Sequence, residues 1–268
     1  MLYVVTAVHN RYKITEAFID LLLKQTYKDI QLILVDDGST DGTAEMVKCK
    51  MPSAIILKGN GKLWWGGSLH KAYKWICSND EIKDSDYIMF SNDDVKFEND
   101  YIEKAISILE EKSKILLVGY GVSMQTGKQV DGAVQFDFPD VINNVVNREE
   151  AYGNCASTRS LFFRVGDFKC IGGFHPVLLP HYGSDYEWTI RASKKGYKIY
   201  CTDKLQYGVD EDTTGIKQRK LKAFFSKRAV SNPFYKINFA ILAAPVGRKF
   251  LSVFCQILRF VKRLPEIE

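Results

Sequence analysis

Several chemical signatures are missing from this 268-residue chain. Its six cysteines, at 49, 77, 155, 170, 201 and 255, form no CxxC and no other metal-ligand spacing. That argues against a cysteine-held metal or a redox pair. Their scatter reads as small buried hydrophobes in a reducing compartment. No run of 18 apolar residues occurs. The longest candidate, Ile237–Val246, is interrupted by Pro245 and ended by Arg248-Lys249, so no transmembrane helix is expected. Met1–Asn10 lacks a basic leader, so no signal peptide is expected. No Walker A glycine-lysine-serine/threonine ending is present, and no GxGxxG. Gly119-Tyr120-Gly121 lacks the third glycine, which weakens a dehydrogenase reading. Internal repeats and low-complexity segments are absent too.

What is there is an ordinary globular composition, 46% hydrophobic and 26% charged. The length allows one or two domains. The net charge of +5 hides a partition. Ile216 to Glu268 holds 12 Lys/Arg and 2 Asp/Glu, so the body before it is acidic. This argues against nucleic acid as a partner and gives the tail a separate task.

The first 120 residues alternate strand and helix signals. Leu2–Val8, Ile30–Val35, Ala54–Leu57, Tyr87–Phe90 and Ile115–Gly119 are short apolar runs. Helical spacing falls between them, at Ile14, Ala17, Phe18, Leu21 and Leu22, at Ser68–Ile76 and at Tyr101–Glu111. This order predicts an α/β fold, a mostly parallel sheet with helices on both faces. Asp41 is placed to cap the helix after the second strand. Gly121–Ala151 reads as a hairpin or insert. Arg159–Val165 and Tyr197–Cys201 read as strands, Ser184–Lys195 as a helix and Asp210–Thr214 as an acidic loop.

Four motifs carry chemistry. Asp36-Asp37-Gly38-Ser39 and Asn92-Asp93-Asp94 each follow an apolar strand. Ligands of open parallel sheets bind at such ends. Each motif alone also fits a solvated turn, but both would open on one edge. Adjacent carboxylates suit Mg²⁺ or Mn²⁺ held together with diphosphate oxygens. Ser184 and Glu187 have capping-box spacing, which puts Asp185 in a first helical turn. There it either complements the dipole or takes a proton from a hydroxyl. Trp188 either stacks on a sugar or fills the core. Gly61–Ser68 offers glycines and a helix start to a phosphate, or only turn chemistry.

Together these residues resemble the inverting glycosyltransferases of family 2, with the GT-A fold. The resemblance runs from Met1 to Gly215. It rests on Val4–Arg11, Val35–Thr43, Asn92-Asp93-Asp94, Ile171-Gly172-Gly173-Phe174, and Ser184–Trp188 with Arg191 and Gly196-Tyr197. It implies a catalytic domain over 1–215 and a basic helical extension over 216–268. Ala7, His9 and Arg11 would line the nucleotide site, and Asp37 would bind the base. Gly67, Asn92 and Asp93 would face the nucleotide sugar. Asp94 would hold Mg²⁺ or Mn²⁺. Asp185 matches the catalytic base, with Gly172-Gly173-Phe174 close to donor and acceptor. His181, Glu187 and Trp188 lie where an acceptor would bind. Trp64-Trp65-Gly66-Gly67 is loosely similar to rhamnosyl- and galactofuranosyltransferase-like members. Relatives often add a metal-binding His after the last core strand. Leu205–Asp212 has none, so either Asp210 or Glu211 substitutes or diphosphate and water complete the shell.

The implied reaction is metal-dependent transfer from a UDP- or dTDP-linked sugar to a glycan or polyprenyl-linked acceptor, in cell-surface polysaccharide synthesis. The implied place is the cytoplasm, peripheral on the inner membrane face. A sugar-nucleotide pyrophosphorylase would need a glycine-rich phosphate loop that Val5–Tyr12 lacks. An inactive nucleotide-sugar-binding scaffold is opposed by the four aspartates 37, 93, 94 and 185. In the tail, Lys217–Arg228 holds six Lys/Arg and no acid. Phe250, Val253, Phe254, Ile257, Leu258 and Val261 recur at helical spacing beside Arg259, Lys262 and Arg263. This helix either lies on anionic lipid or packs on the catalytic domain or a second copy of the chain.

Overall fold

A computed structural model describes residues 1–139, 142–146, 149–211, 225–226, 229–230 and 232–263. The six Lys/Arg of 217–228 and residues 212–214 of the acidic loop lie outside these.

The sheet is built from β1 (Leu2–Val8), β2 (Ile30–Asp36), β3 (Ile55–Lys58), β4 (Tyr87–Ser91), β6 (Ile115–Ser123), β10 (Glu150–Gly153), β11 (Ser160–Arg164) and β12 (Lys198–Val209). Their order is β10-β12-β6-β11-β4-β1-β2-β3. Two short strands, β5 (Val95–Lys96) and β7 (Gln129–Asp131), pair with β12 and β6. β1 runs parallel to β2 and β4, and β12 parallel to β6, whereas β11 is antiparallel to both its neighbours. The sheet is therefore mixed. A hairpin, β8 (Val134–Asp137) with β9 (Ile142–Val145), occupies the expected insert.

Helices cover both faces, so the central strands are apolar on both sides. One face carries α1 (Tyr12–Leu23), α2 (Thr43–Lys50) and α4 (Tyr101–Glu111). Phe18, Ile19, Leu22, Ile102 and Ala105 pack there on Val4, Leu32 and Met89. The other carries α3 (Trp64–Cys77), α5 (Val165–Ile171) and α6 (Ser184–Lys194), whose Leu69, Phe168 and Trp188 meet Val5, Phe90 and Phe163. The N-cap of α2 is Gly42, not Asp41 as expected; Asp41, one residue earlier, still accepts from the Thr43 N–H at 3.1 Å. The cysteine expectation needs correction. All six are free, but Cys49, Cys77 and Cys170 are exposed, and only Cys155 and Cys201 are buried.

Two helices follow, α7 (Pro233–Ala243) and α8 (Lys249–Arg263). Asn232 caps α7 by accepting from Phe234 N–H, with Pro233 at the first helical position. Phe239 and Ala243 join Phe136, Phe138 and Ile190 in a third apolar cluster. Lys194 donates to the Ala243 carbonyl at 2.6 Å, a cation at a helix C-terminus. The next helix is arranged the other way round. Its Ser252 and Gln256 are buried, while Phe250, Phe254 and Val261 are 85%, 48% and 51% exposed. The apolar stripe is thus not packed on the sheet and its flanking helices. Among the described residues no helix is long and apolar enough to cross a membrane.

Candidate active site

Because β2, β1 and β4 are parallel neighbours, their C-terminal ends, acidic after β2 and β4, share one edge. The loops there are tied together. His9 Nδ1 donates to the Asp37 carbonyl at 2.7 Å. Asn10 donates its N–H to Ser39 Oγ at 2.9 Å and accepts from Thr40 N–H at 2.8 Å. Ala7 pairs with Val35 in the ladder beneath. The Asp37 carboxylate accepts three backbone N–H groups, from Gly61, Leu63 and Trp64, at 2.9 to 3.0 Å. It shapes the 60–64 loop, and about one of its four acceptor positions is left for a base.

Asp93 departs from the donor-contact role. Its carboxylate is 4% exposed, accepts from Arg11 Nε at 2.9 and 3.0 Å and from Thr15 Oγ1 at 2.8 Å, and so faces inward. Burial raises its pKa, and Arg11 and Thr15 offset this only in part. Arg11 also donates through Nη2 to Asp94 at 3.2 Å. Burial disfavours the Arg11 charge, but the two carboxylates outweigh that and raise its pKa. Arg11 is therefore engaged with the acidic pair. Asn92, half-buried, donates its N–H to the Arg159 carbonyl at 3.0 Å, which links this loop to the next cluster.

Gly183, with φ of +81°, takes the N-cap position of α6, and its left-handed backbone turns the chain into the helix at Asp185. The capping box is not formed. Ser184 Oγ donates to the His181 carbonyl at 2.6 Å, and Glu187 forms a two-point pair with Arg191 at 2.9 and 3.0 Å. Asp185 lines a cavity of about 400 Å³ with Asp131, Ser157, Arg159, Tyr182, Tyr235 and Phe239. Burial, reinforced by the Asp131 charge, pushes its carboxyl up to about 6, although the Tyr186 N–H and Arg159 oppose the shift.

The three acceptor residues separate. His181 is half-buried, its ring 5.5 Å from Trp64 and 4.2 Å from Tyr182. Trp188 is fully buried, donates to the Gly172 carbonyl at 2.7 Å and stacks on Phe174, so it fills the core and offers no face to a sugar. Glu187 is 3% exposed and held by Arg191, which also binds the Ile171 and Gly173 carbonyls. Both are corrections to an acceptor role. Gly67 is corrected likewise. It is buried within α3, where an added Cβ would press on Leu63 at 3.3 Å, and its neighbour Gly66 donates to the Pro180 carbonyl at 2.8 Å. These glycines serve close packing, not a phosphate.

For a divalent ion the fit is narrow. Among the described residues no three His, Cys, Asp or Glu stand together. Asp210 accepts from Gln125 and Glu211 from Ser123, so both join the 123–125 turn. Asp94 has one oxygen toward Arg11 and the other outside that contact. A single carboxylate suits an ion that takes most ligands from phosphates and water, as Mg²⁺ does.

The glycosyl transferase family 2 model matches residues 3–166. The chain belongs to that family. It is 26% identical over 223 residues to the putative glycosyltransferase EpsE of Bacillus subtilis (strain 168), covering 81% of this chain and 75% of EpsE. The GT-A fold of family 2 is shared with solved structures. The mannosyltransferase PcManGT from Pyrobaculum calidifontis, in complex with GDP-Man and Mn²⁺, aligns with a TM-score of 0.57 at 15% identity, over 96% of this chain and 64% of that one. S. aureus TarS 1-349 in complex with UDP-GlcNAc gives 0.61 at 14%, over 97% and 72%. Within this family 2 domain, Asp131 and Arg159 were not marked by the sequence. Each is a single residue outside any motif, and β7 and β11 bring them beside Asp185.

Proposed function

We propose that this glycosyltransferase inverts configuration as it moves a hexosyl or deoxyhexosyl unit from a UDP- or dTDP-linked donor to a hydroxyl of a glycan or polyprenyl-linked acceptor. The setting is cell-surface polysaccharide synthesis, peripheral on the inner membrane face. Residues 1–215 form the catalytic domain, and the extension from 216 adds Tyr235 and Phe239 to the cavity wall. What carries the reading is Asp185, a carboxyl raised to about 6 and facing a cavity large enough for sugar rings. At neutral pH it is ionised yet more basic than an ordinary aspartate, as a general base requires. It removes the acceptor hydroxyl's proton as that oxygen attacks the anomeric carbon. The bond to the diphosphate breaks on the opposite side, and the electron pair leaves with the nucleoside diphosphate. Asp94 would hold Mg²⁺ or Mn²⁺. When bound, that ion neutralises charge on the leaving group. The GDP-Man and Mn²⁺ complex of PcManGT and the UDP-GlcNAc complex of TarS support a nucleotide sugar and a divalent ion as partners.

The test is a thermal-shift panel of nucleoside diphosphate sugars with Mn²⁺, followed by transfer or hydrolysis assays on the hits. At least one donor is expected to raise the unfolding midpoint and to release its nucleoside diphosphate. No stabilisation by any donor would overturn the reading.

A further inference from the structure

Arg159, in the wall of the Asp185 cavity, carries hydrogen-bonding capacity that the protein does not use. It directly precedes β11, and its carbonyl, bonded to the Asn92 N–H at 3.0 Å, pins it beside the Asn92-Asp93-Asp94 loop. Its side chain is 21% exposed. A guanidinium has five N–H donors. Among the described residues none of those on Arg159 makes a hydrogen bond. The Asp131 carboxylate is 3.9 Å away. Asp131 is already engaged, accepting from Ser157 Oγ at 2.6 Å, Tyr207 hydroxyl at 2.7 Å and Gly132 N–H at 2.8 Å. Other arginines of the fold behave differently. Arg164 donates to Tyr87 and the Leu109 carbonyl, and Arg191 makes four bonds.

A largely buried cation with its donors turned to a cavity is complete only when an anion arrives. The planar fork of arginine matches phosphate oxygens. We propose that Arg159 binds the diphosphate of the donor and shares with Asp94 the stabilisation of the leaving group. This rests on the glycosyl-transfer reading. Placement selects the donor diphosphate: the Arg159 backbone is bonded to Asn92, and its charge couples to Asp94 as well as to Asp131 and Asp185. Need selects it as well. The 205–211 segment supplies no His, and its Asp210 and Glu211 are held by the 123–125 turn. Negative charge grows on the diphosphate as the anomeric bond breaks. A fixed cation there lowers the barrier without any later rearrangement.

The test uses the full chain and the nucleoside diphosphate that binds it best. Binding of that compound and of its parent nucleoside is measured by calorimetry, with Mn²⁺ and with EDTA. Arg159→Gln is expected to weaken the diphosphate about 10- to 100-fold in EDTA, the size of a lost charged hydrogen bond. It should leave nucleoside affinity and the unfolding midpoint unchanged. Arg159→Lys, which keeps charge but not the fork, should fall between. Equal diphosphate binding by wild type and Arg159→Gln would overturn this inference alone. A parallel loss of nucleoside affinity would also overturn it, because the role would then be structural. Failure of wild type to bind any nucleoside diphosphate would overturn the glycosyl-transfer reading and this inference with it.

Discussion

Arg11 Nε lies 2.9 and 3.0 Å from the two carboxylate oxygens of Asp93, a residue 82 positions away. This pair closes the loop after β1 onto the end of β4 and leaves Asp94 as the outward carboxylate. Arg11→Ala would leave Asp93 buried without its cation. We expect a stability loss of about 2–3 kcal/mol in urea unfolding at pH 7.5, below the ~3–5 kcal/mol of a fully buried pair because Arg11 is 31% exposed. The loss should shrink as pH is lowered, because without Arg11 the already raised Asp93 carboxyl is raised further and protonates more readily. A pH-independent loss would show that Arg11 acts through packing instead.

Asp185→Asn tests catalysis and stability in opposite directions. Removal of the base should cut turnover about 10²-fold or more while donor binding persists. In the wild type, turnover should rise with pH through about 6 as Asp185 loses its proton. The folded state binds that proton more tightly than the unfolded chain does. Stability therefore falls as pH rises from about 4 to 6, and the penalty remains at pH 7.5. The asparagine variant escapes it and should be more stable there by on the order of 2–3 kcal/mol. Wild-type transfer rates in the variant would remove Asp185 from the mechanism.

Glu187→Ala separates fold from acceptor recognition. The change strands Arg191, whose guanidinium also holds the Ile171 and Gly173 carbonyls. About 3 kcal/mol of stability should be lost. At a temperature where the variant stays folded, KM for the acceptor should match the wild type. A large rise in that KM alone would return Glu187 to the acceptor site.

The parallel core strands were legible because short apolar runs alternate with helical spacing; β1 to β4 lie within a residue of their runs, whereas β6 and β12 continue to Ser123 and Val209, four and eight residues past theirs. The shared acidic edge followed from that order. Which carboxylates face inward was not legible. Asp93 and Asp94 are adjacent and identical in chemistry, and only the distant Arg11 and Thr15 decide that Asp93 points into the fold. The capping-box spacing misled because Gly183 can adopt a left-handed φ that frees Ser184 from the cap. Asp131 and Arg159 reach the site through an antiparallel strand and a β6–β7 turn, pairings with no local sequence mark.

The amphipathic C-terminal helix makes the last prediction. Between Ala229 and Arg263 the sequence has six Lys/Arg and no acid. In α8 the polar Ser252 and Gln256 face inward, and Gln256 Nε2 is buried with no hydrogen-bond partner among the described residues. Phe250, Leu251, Phe254, Leu258 and Val261 face out. Burying such a stripe in a bilayer interface is favourable by about 25 cal/mol per Å², and flanking cations add attraction to anionic lipid. The full-length protein should therefore sediment with vesicles containing phosphatidylglycerol, less at high salt. Phe250→Glu with Phe254→Glu should abolish this without loss of transfer to a soluble acceptor. Unchanged sedimentation of the double variant would show that the outward stripe does not bind lipid. Loss of dimer by the same variant, with no lipid binding by wild type, would assign the stripe to a second copy of the chain.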